Sequence, residues 1–145
     1  MTDYKFKFKR EWIDLGWALR PKIKVTLSAN GKSKQIIAII DTGSDLVYIP
    51  KDMADYFGLS LSKNELTGQG AETEFSYRTS QIRVSLENPH KIFRKLVEVM
   101  VPAKGADHKD VILGTGFLEN FIVTLDYKNE KINLRAHQST SEKKQ

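Results

Sequence analysis

The residues most able to do chemistry in this 145-residue chain are Asp41, Thr42 and Gly43, which follow one another directly. They come immediately after residues 36–40, an apolar run that predicts a strand buried on both faces and carries a carboxylate towards the interior. Burying an unpaired carboxylate is costly, so a protein that needs only a turn usually places it at the surface. Two carboxylates that share one proton, by contrast, can act together as acid and base. The alternative is a plain turn, in which Asp41 caps the backbone and Gly43 supplies a positive φ.

Composition is that of an ordinary single-domain globular protein, with 40% hydrophobic and 28% charged residues. The chain has no cysteine, which excludes a disulfide framework and a thiolate metal site. Residues 1–10 lack an apolar signal core, and the run at 36–40 is too short to cross a bilayer. These features predict a cytoplasmic protein with no membrane partner.

The net charge of +5 would suit nucleic acid, but the lysines are scattered over predicted strands and turns, so no nucleic-acid partner is expected. The three histidines, His90, His108 and His137, lack the spacing of metal ligands. His108 lies between Asp107 and Asp110, where a solvated loop is a simpler interpretation than a metal site. The sequence therefore predicts no metal and no cofactor.

Short strands separated by turn signals dominate the chain, a pattern typical of a small β-barrel. Asn30 and Gly31 predict a tight hairpin, because both residues tolerate positive φ. Pro50 and Gly58 bracket a predicted helix at residues 51–57. A second short helix is predicted at residues 117–121. Strands are predicted at residues 4–8, 23–27, 35–40, 75–77, 82–86, 96–101, 111–113, 122–125 and 132–134.

The expected fold class is therefore all-β, a small closed β-barrel with one or two short helices, formed by residues 21–137. Residues 1–20 are predicted to be an N-terminal extension. Within it, Trp12 and Trp17 are expected to be packing residues, with a dimer or partner surface as the alternative. Residues 138–145 are polar and are predicted to be a disordered tail.

Residues 37–44, with the sequence IAIIDTGS, resemble the active-site loop of aspartic proteases in its retropepsin form. Ile112, Leu113 and Gly114 resemble the second motif of that family, two apolar residues and a glycine before a short helix. The glycine-punctuated segment at residues 68–70 is placed like the tip of the family's flap hairpin. In this order the three elements cover about residues 21–134, which is more specific than the tripeptide alone.

The resemblance implies a retropepsin-type subunit that works as a symmetric homodimer, because the chain carries a single Asp-Thr-Gly motif. Asp41, Thr42 and Gly43 would then be the catalytic residues. One Asp41 would take a proton from a water, and its protonated counterpart would donate to the scissile carbonyl oxygen. Thr42 would bond across the dimer axis, and Gly43 would let backbone approach the carboxylates.

By the same resemblance, substrate contacts would come from the two loops and the flap. The apolar walls of one subsite would be formed by Ile112, Leu46 and Val47. In the flap, Phe75 and Tyr77 are candidate aromatics, although packing on the core is the simpler expectation. The implied substrate-binding residues are Ser44, Asp45, Gly68, Gln69, Gly70 and Ile112.

One departure from the family pattern concerns Asp45. In retroviral enzymes the corresponding aspartate pairs with an arginine just after the second motif, and here that position is Thr115. The dimer geometry must then be held differently. The sequence favours an aspartic endopeptidase that acts on peptides or proteins. The alternative is a retropepsin-fold dimer with weak or no activity, used as a peptide-binding or assembly module.

Overall fold

A computed structural model describes residues 1–69, 74–104, 109–137 and 142–144. Most of these residues lie in strands, and the helices are short. The strands are β1 (Thr2–Lys7), β2 (Lys9–Ile13), β3 (Gly16–Arg20), β4 (Lys22–Ala29), β5 (Lys32–Ile40), β6 (Val47–Tyr48), β7 (Leu66–Gln69), β8 (Glu74–Glu87), β9 (Lys91–Lys104), β10 (Val111–Leu113), β11 (Phe121–Asp126), β12 (Lys131–Ala136) and β13 (Glu142–Lys144), and the helices are α1 (Lys51–Phe57) and α2 (Thr115–Leu118).

Six strands close into a barrel with the ring order β4, β5, β10, β6, β9 and β8, the last pairing back with β4. The pairs β5–β10 and β6–β9 are parallel, and the other four pairs are antiparallel. Strand β7 extends the sheet beyond β8. The predicted small closed all-β barrel with two short helices is confirmed. Closure joins the strands side by side and so removes sheet edges that would otherwise be open.

Local turn chemistry explains the hairpin and the first helix. Asn30 and Gly31 both have positive φ, 51° and 78°, as the predicted tight turn between β4 and β5 requires. Helix α1 follows Pro50 and ends at Gly58, whose φ of 62° is left-handed. The side-chain amide of Asn30 also donates to the backbone carbonyls of Phe57 and Gly58, at 2.8 and 3.0 Å. The hairpin turn therefore supplies hydrogen-bond donors to carbonyl groups at the C-terminal end of the helix.

Strand β5 differs from the expectation that its apolar run is buried on both faces. Ala38 and Ile40 point into the barrel and are buried, whereas Ile37 is 40% exposed and Ile39 is half-buried. Among the residues that the structure describes, the outer face of this strand is only partly covered. The apolar run therefore belongs to a strand with one core face and one open face.

A second sheet, in the order β1, β12, β11, includes residues that the sequence assigned to an extension. Strand β1 pairs with β12 over its whole length, from Thr2 opposite Ala136 to Lys7 opposite Lys131. The domain boundary at residue 21 stays a prediction. At the other end of the chain, β13 pairs with β9, and the rest of the predicted disordered tail lies outside the described residues.

Three aromatic rings join the barrel to the second sheet. Phe93 on β9, Phe117 on α2 and Phe121 on β11 contact one another with ring centroids 4.6–6.0 Å apart. All three are buried, as tilted and edge-on aromatic packing favours. Because these rings form part of one apolar core, the short helix after β10 is held firmly against the barrel.

The hairpin of β2 and β3 carries Trp12 and Trp17 opposite each other. Their rings meet edge to face with centroids 5.4 Å apart, but each residue is 67% exposed. Leu15 at the turn is 96% exposed. The expectation that these tryptophans are packing residues holds only for their mutual contact, because no further layer of the described residues buries the hairpin.

The part of the chain that the structure describes contains no helix long and apolar enough to cross a membrane. Within the same residues, no group of three or more histidine, aspartate or glutamate side chains is placed to hold a metal ion. His108 and Asp107 lie outside the described residues.

Asp3 fastens β1 to β12. Its carboxylate accepts bonds from the Arg135 guanidinium at 2.7 and 3.2 Å and from the Asn133 amide at 3.1 Å. Arg135 first and Asn133 second lower the pKa of Asp3 from 3.8 to about 2. Folding therefore favours the ionised carboxylate. The resulting stability is present above the unfolded-state pKa, about 3.9, and is lost as the pH falls through about 2.

We expect Asp3→Asn to unfold more easily than the native protein at neutral pH and to lose less stability between about pH 5 and about pH 3. The measurement is the urea midpoint of unfolding across this range. Asp14→Asn, at an exposed turn position, is the matched control and should retain the native pH dependence. An identical pH dependence in Asp3→Asn and the native protein would contradict the role assigned to this contact.

Candidate active site

Asp41 lies where β5 ends and the chain leaves the barrel wall. Strand β10 runs parallel to β5 with Leu113 opposite Ile40, so the two strands end side by side. The Asp41 amide donates to the Leu113 carbonyl at 3.1 Å, which extends the pairing by one residue. The position of Asp41 is therefore set by two barrel strands that are far apart in sequence.

The carboxylate of Asp41 is oriented by its own loop. Its Oδ1 accepts a bond from the Gly43 amide at 2.9 Å, and its Oδ2 accepts one from the Ser44 hydroxyl at 3.0 Å. The Ser44 amide also donates to the Asp41 carbonyl at 3.2 Å. Asp41 therefore caps its own loop, as in the turn that the sequence left open as an alternative, but Gly43 does not have the positive φ expected there. These bonds hold both carboxylate oxygens.

The burial expected for this carboxylate is only partial. Asp41 is half-buried, and Thr42 and Gly43 are exposed. A strand that ends at the rim of a barrel delivers its last residue to the surface rather than to the core. In a single chain the Asp-Thr-Gly loop therefore presents its tip outwards, with one face open to a further molecule.

Hydrogen bonds to backbone carbonyls tie the Asp41 loop to the turn that follows β10. All of the donors lie in the second motif or directly after it, and all of the acceptors are carbonyls of residues just after the Asp-Thr-Gly motif. The bonds run from the Gly114 amide to Leu46 at 3.1 Å, from the Thr115 amide to Ser44 at 2.7 Å, from the Thr115 hydroxyl to Asp45 at 2.9 Å and from the Gly116 amide to Asp45 at 2.7 Å.

Gly114 is needed because the two loops approach within contact distance of each other. A Cβ atom at this position would lie 2.3 Å from the Leu46 carbonyl oxygen and 2.4 Å from that of Ser44. Both atoms belong to backbone that is already hydrogen-bonded, so neither can move aside at low cost. The second motif therefore requires glycine for packing.

Asp45 is exposed, and its carboxylate has no partner among the residues that the structure describes. Thr115 stands where the retroviral pattern has an arginine, and its hydroxyl donates to the backbone carbonyl of Asp45 rather than to the carboxylate. Thr115 thus keeps the two loops joined, while the Asp45 carboxylate stays exposed at the edge of the site.

An apolar row lies beside the Asp41 loop on the outer face of the barrel wall. Ile39 is opposite Ile112, Ile112 is opposite Tyr48, and Tyr48 is opposite Met100. Ile112 is half-buried in this row, as a subsite wall requires. Val47, expected to be a second wall, is fully buried in the barrel core because it alternates with Tyr48.

A cavity of about 230 Å³ opens between the Asp41 loop and the hairpin of β7 and β8. Phe75 and Tyr77 line it, rather than packing on the core as expected. Gly68 lies within β7, where a Cβ atom would come within 2.8 Å of the Phe75 ring. Strand β7 ends at Gln69, and Gly70 is outside the described residues. The lining residues are Asp45, Leu46, Tyr48, Gly68, Phe75, Tyr77 and Met100.

Sequence reasoning missed Tyr48 and Met100. Strand alternation alone could have separated Tyr48 from Val47, but it does not show which face is the site. Burial raises the pKa of the Tyr48 phenol, and Tyr77, Asp45 and Asp41 raise it further. The phenol is therefore uncharged at neutral pH, and Asp45 is the charged residue of the lining.

Comparison with known proteins gives a family and a fold. A sequence-family profile described as "gag-polyprotein putative aspartyl protease" matches residues 25–120, about two thirds of the chain. The crystal structure of a retropepsin-like aspartic protease from Rickettsia conorii is similar, with a TM-score of 0.56 and 17% identity over 92% of this chain and 90% of that one. No curated protein sequence matches.

The contact at Gly114 supplies a test of the loop arrangement. We expect Gly114→Ala to lose about 3 kcal/mol or more of unfolding free energy, because its methyl group would overlap two backbone carbonyls. Gly116→Ala is the graded control, since its Cβ would lie 3.2 Å from the nearest carbonyl oxygen, and its stability should change by about 1 kcal/mol or less in either direction. Urea unfolding measures both. Equal unfolding free energies for the two variants would contradict the requirement for glycine at position 114.

Proposed function

Since this chain belongs to the gag-type aspartyl protease family, we propose that it is an aspartic endopeptidase active as a symmetric homodimer. The observation that carries the proposal is the Asp41 carboxylate, half-buried at a strand end with both oxygens oriented by Gly43 and Ser44. An oriented carboxylate at an open rim can receive a water and a peptide.

The need for a second copy follows from the chemistry. One carboxylate cannot accept a proton from water and donate one to the substrate in the same step, and this chain carries one Asp-Thr-Gly motif. The exposed Thr42 and Gly43 leave the loop tip free to meet its counterpart across a two-fold axis. A homodimer then supplies both carboxylates from one sequence.

The proposed reaction divides the work between the two Asp41 carboxylates. The ionised one removes a proton from a water held between them, and the water oxygen bonds to the scissile carbonyl carbon. The protonated one donates to the carbonyl oxygen, giving a tetrahedral diol with no covalent enzyme intermediate. The C–N bond then breaks as the carboxylate that took the proton from water gives it to the leaving nitrogen, while the other carboxylate takes a proton from a diol hydroxyl to form the new carboxylic acid.

Substrate binding is proposed to use the apolar row and the β7–β8 hairpin. Ile112, half-buried beside Ile39, would contact an apolar side chain next to the cut. The hairpin would act as a flap that covers the peptide and excludes water, with contacts from Gly68, Gln69 and Gly70. Ser44 would contribute by holding Asp41. The cytoplasmic location stays a prediction from the sequence.

A second candidate is a retropepsin-fold dimer that binds peptide or assembles with weak or no proteolysis. The specific observation in its favour is Thr115, which leaves Asp45 without the arginine of the retroviral pattern. If that ion pair is needed to align two subunits, the site could hold a peptide without cutting it.

Asp41→Asn tests catalysis directly. We expect kcat/KM on a peptide library to fall by about 100- to 10,000-fold, the usual contribution of a general acid–base group. The fold should persist, because asparagine keeps the shape: its Oδ1 can still accept from the Gly43 amide, and its Nδ2 can donate to the Ser44 hydroxyl oxygen. Asp55→Asn, exposed on α1, is the matched control. Undiminished cleavage by purified Asp41→Asn would overturn the enzymatic assignment.

The dimer requirement predicts that specific activity falls on dilution, because a separated subunit holds half of the catalytic pair. Adding excess Asp41→Asn protein should suppress native activity as mixed dimers form. Activity and sedimentation are measured over the same concentration series. Specific activity that stays constant at concentrations where sedimentation shows only monomer would contradict the shared site.

A further inference from the structure

The Asp45 carboxylate lacks the arginine partner that the retroviral pattern would place at Thr115. Its main chain is held firmly, since the Asp45 carbonyl accepts bonds from the Thr115 hydroxyl and the Gly116 amide at 2.9 and 2.7 Å. Its side chain is exposed and unpaired among the described residues. A fixed backbone with a free carboxylate is arranged to receive a cation from another molecule.

The cavity beside Asp45 has the size of one side chain. Its volume of about 230 Å³ is below the roughly 300–1,000 Å³ of sites that enclose whole small molecules. Its walls combine the rings of Tyr48, Phe75 and Tyr77 with the apolar Met100 and Leu46. Aromatic faces and thioether carbons suit the methylene stem of a long side chain, and ring faces also attract a cation.

No cation of the described lining competes for Asp45. Arg78 follows Tyr77 in sequence, but its guanidinium donates to the carbonyls of Ser62 and Lys63 at 2.8 and 2.6 Å and lies 3.5 Å from Glu65. It is therefore engaged on the other side of the hairpin. Asp45 is the charged residue among the described lining residues, and the only other carboxylate that acts on Tyr48 there is Asp41, which is also negative.

We propose that this cavity is a subsite for a lysine or arginine side chain of the peptide substrate, with Asp45 as the specificity-determining residue. The inference rests on the proposed peptide-cleaving function. The uncharged phenol of Tyr48, whose pKa burial raises, adds a polar partner without repelling a cation. An apolar side chain would fill the same walls but would leave the carboxylate without a partner.

The test uses peptides in which lysine or norleucine occupies each position around the cut in turn. Norleucine has the same straight stem without the charge. We expect one position at which lysine raises kcat/KM about tenfold, equivalent to about 1.4 kcal/mol. Asp45→Asn should reduce this ratio to about one, Asp45→Glu should restore it, and Asp55→Asn should leave it unchanged. Added salt should weaken the preference.

A binding measurement separates this inference from the proposed function. The same peptide pair is made with a reduced, uncleavable bond, and the affinity for native and Asp45→Asn protein is measured by calorimetry. If the peptides are cleaved, but native and Asp45→Asn proteins show the same preference for lysine over norleucine, the subsite alone is overturned. If no peptide is cleaved, but the native protein binds the lysine peptide more tightly than the norleucine peptide and Asp45→Asn does not, the subsite is supported and proteolysis is overturned. Neither cleavage nor binding of either peptide overturns both.

Discussion

The close approach of two chain segments at Gly114 is the constraint on which the site depends. The loop after β5 and the turn after β10 lie so near that a single Cβ atom would overlap the carbonyls of Leu46 and Ser44. Amides of the second segment bond those same carbonyls. These bonds form only between backbones that lie this close. A glycine far from Asp41 in sequence therefore determines the position of the Asp41 loop.

The barrel supplies the reason these two segments meet. Parallel pairing of β5 with β10 makes both strands end at one rim, and the Asp41 amide continues that ladder to Leu113. Gly43 and Ser44 then orient the carboxylate without burying it. A half-buried charge is tolerable in one chain because water still reaches it, and the open face is where a second subunit would complete the site.

Thr115, at the position where the retroviral pattern has an arginine, does only one of the two tasks that an ion pair would combine. Joining the loops is still achieved, through the Thr115 hydroxyl and the Asp45 carbonyl. The Asp45 side chain is thereby released next to a cavity lined by Tyr48 and Tyr77. An exposed carboxylate costs the fold little, so such a charge can be kept for recognition rather than for stability.

The sequence by itself determined the features that depend on local backbone preferences. Asn30 and Gly31 predicted their turn because few residues accept positive φ, and the tripeptide beginning at Asp41 marked the candidate site. Only the tertiary structure decided which face of each strand is covered. Tyr48 lines the cavity because β9 and β10, both distant in sequence, lie on either side of it, whereas Trp12 is exposed because no further described strand covers its hairpin. Periodicity records that two faces differ, whereas burial is set by what the folded chain brings against each one.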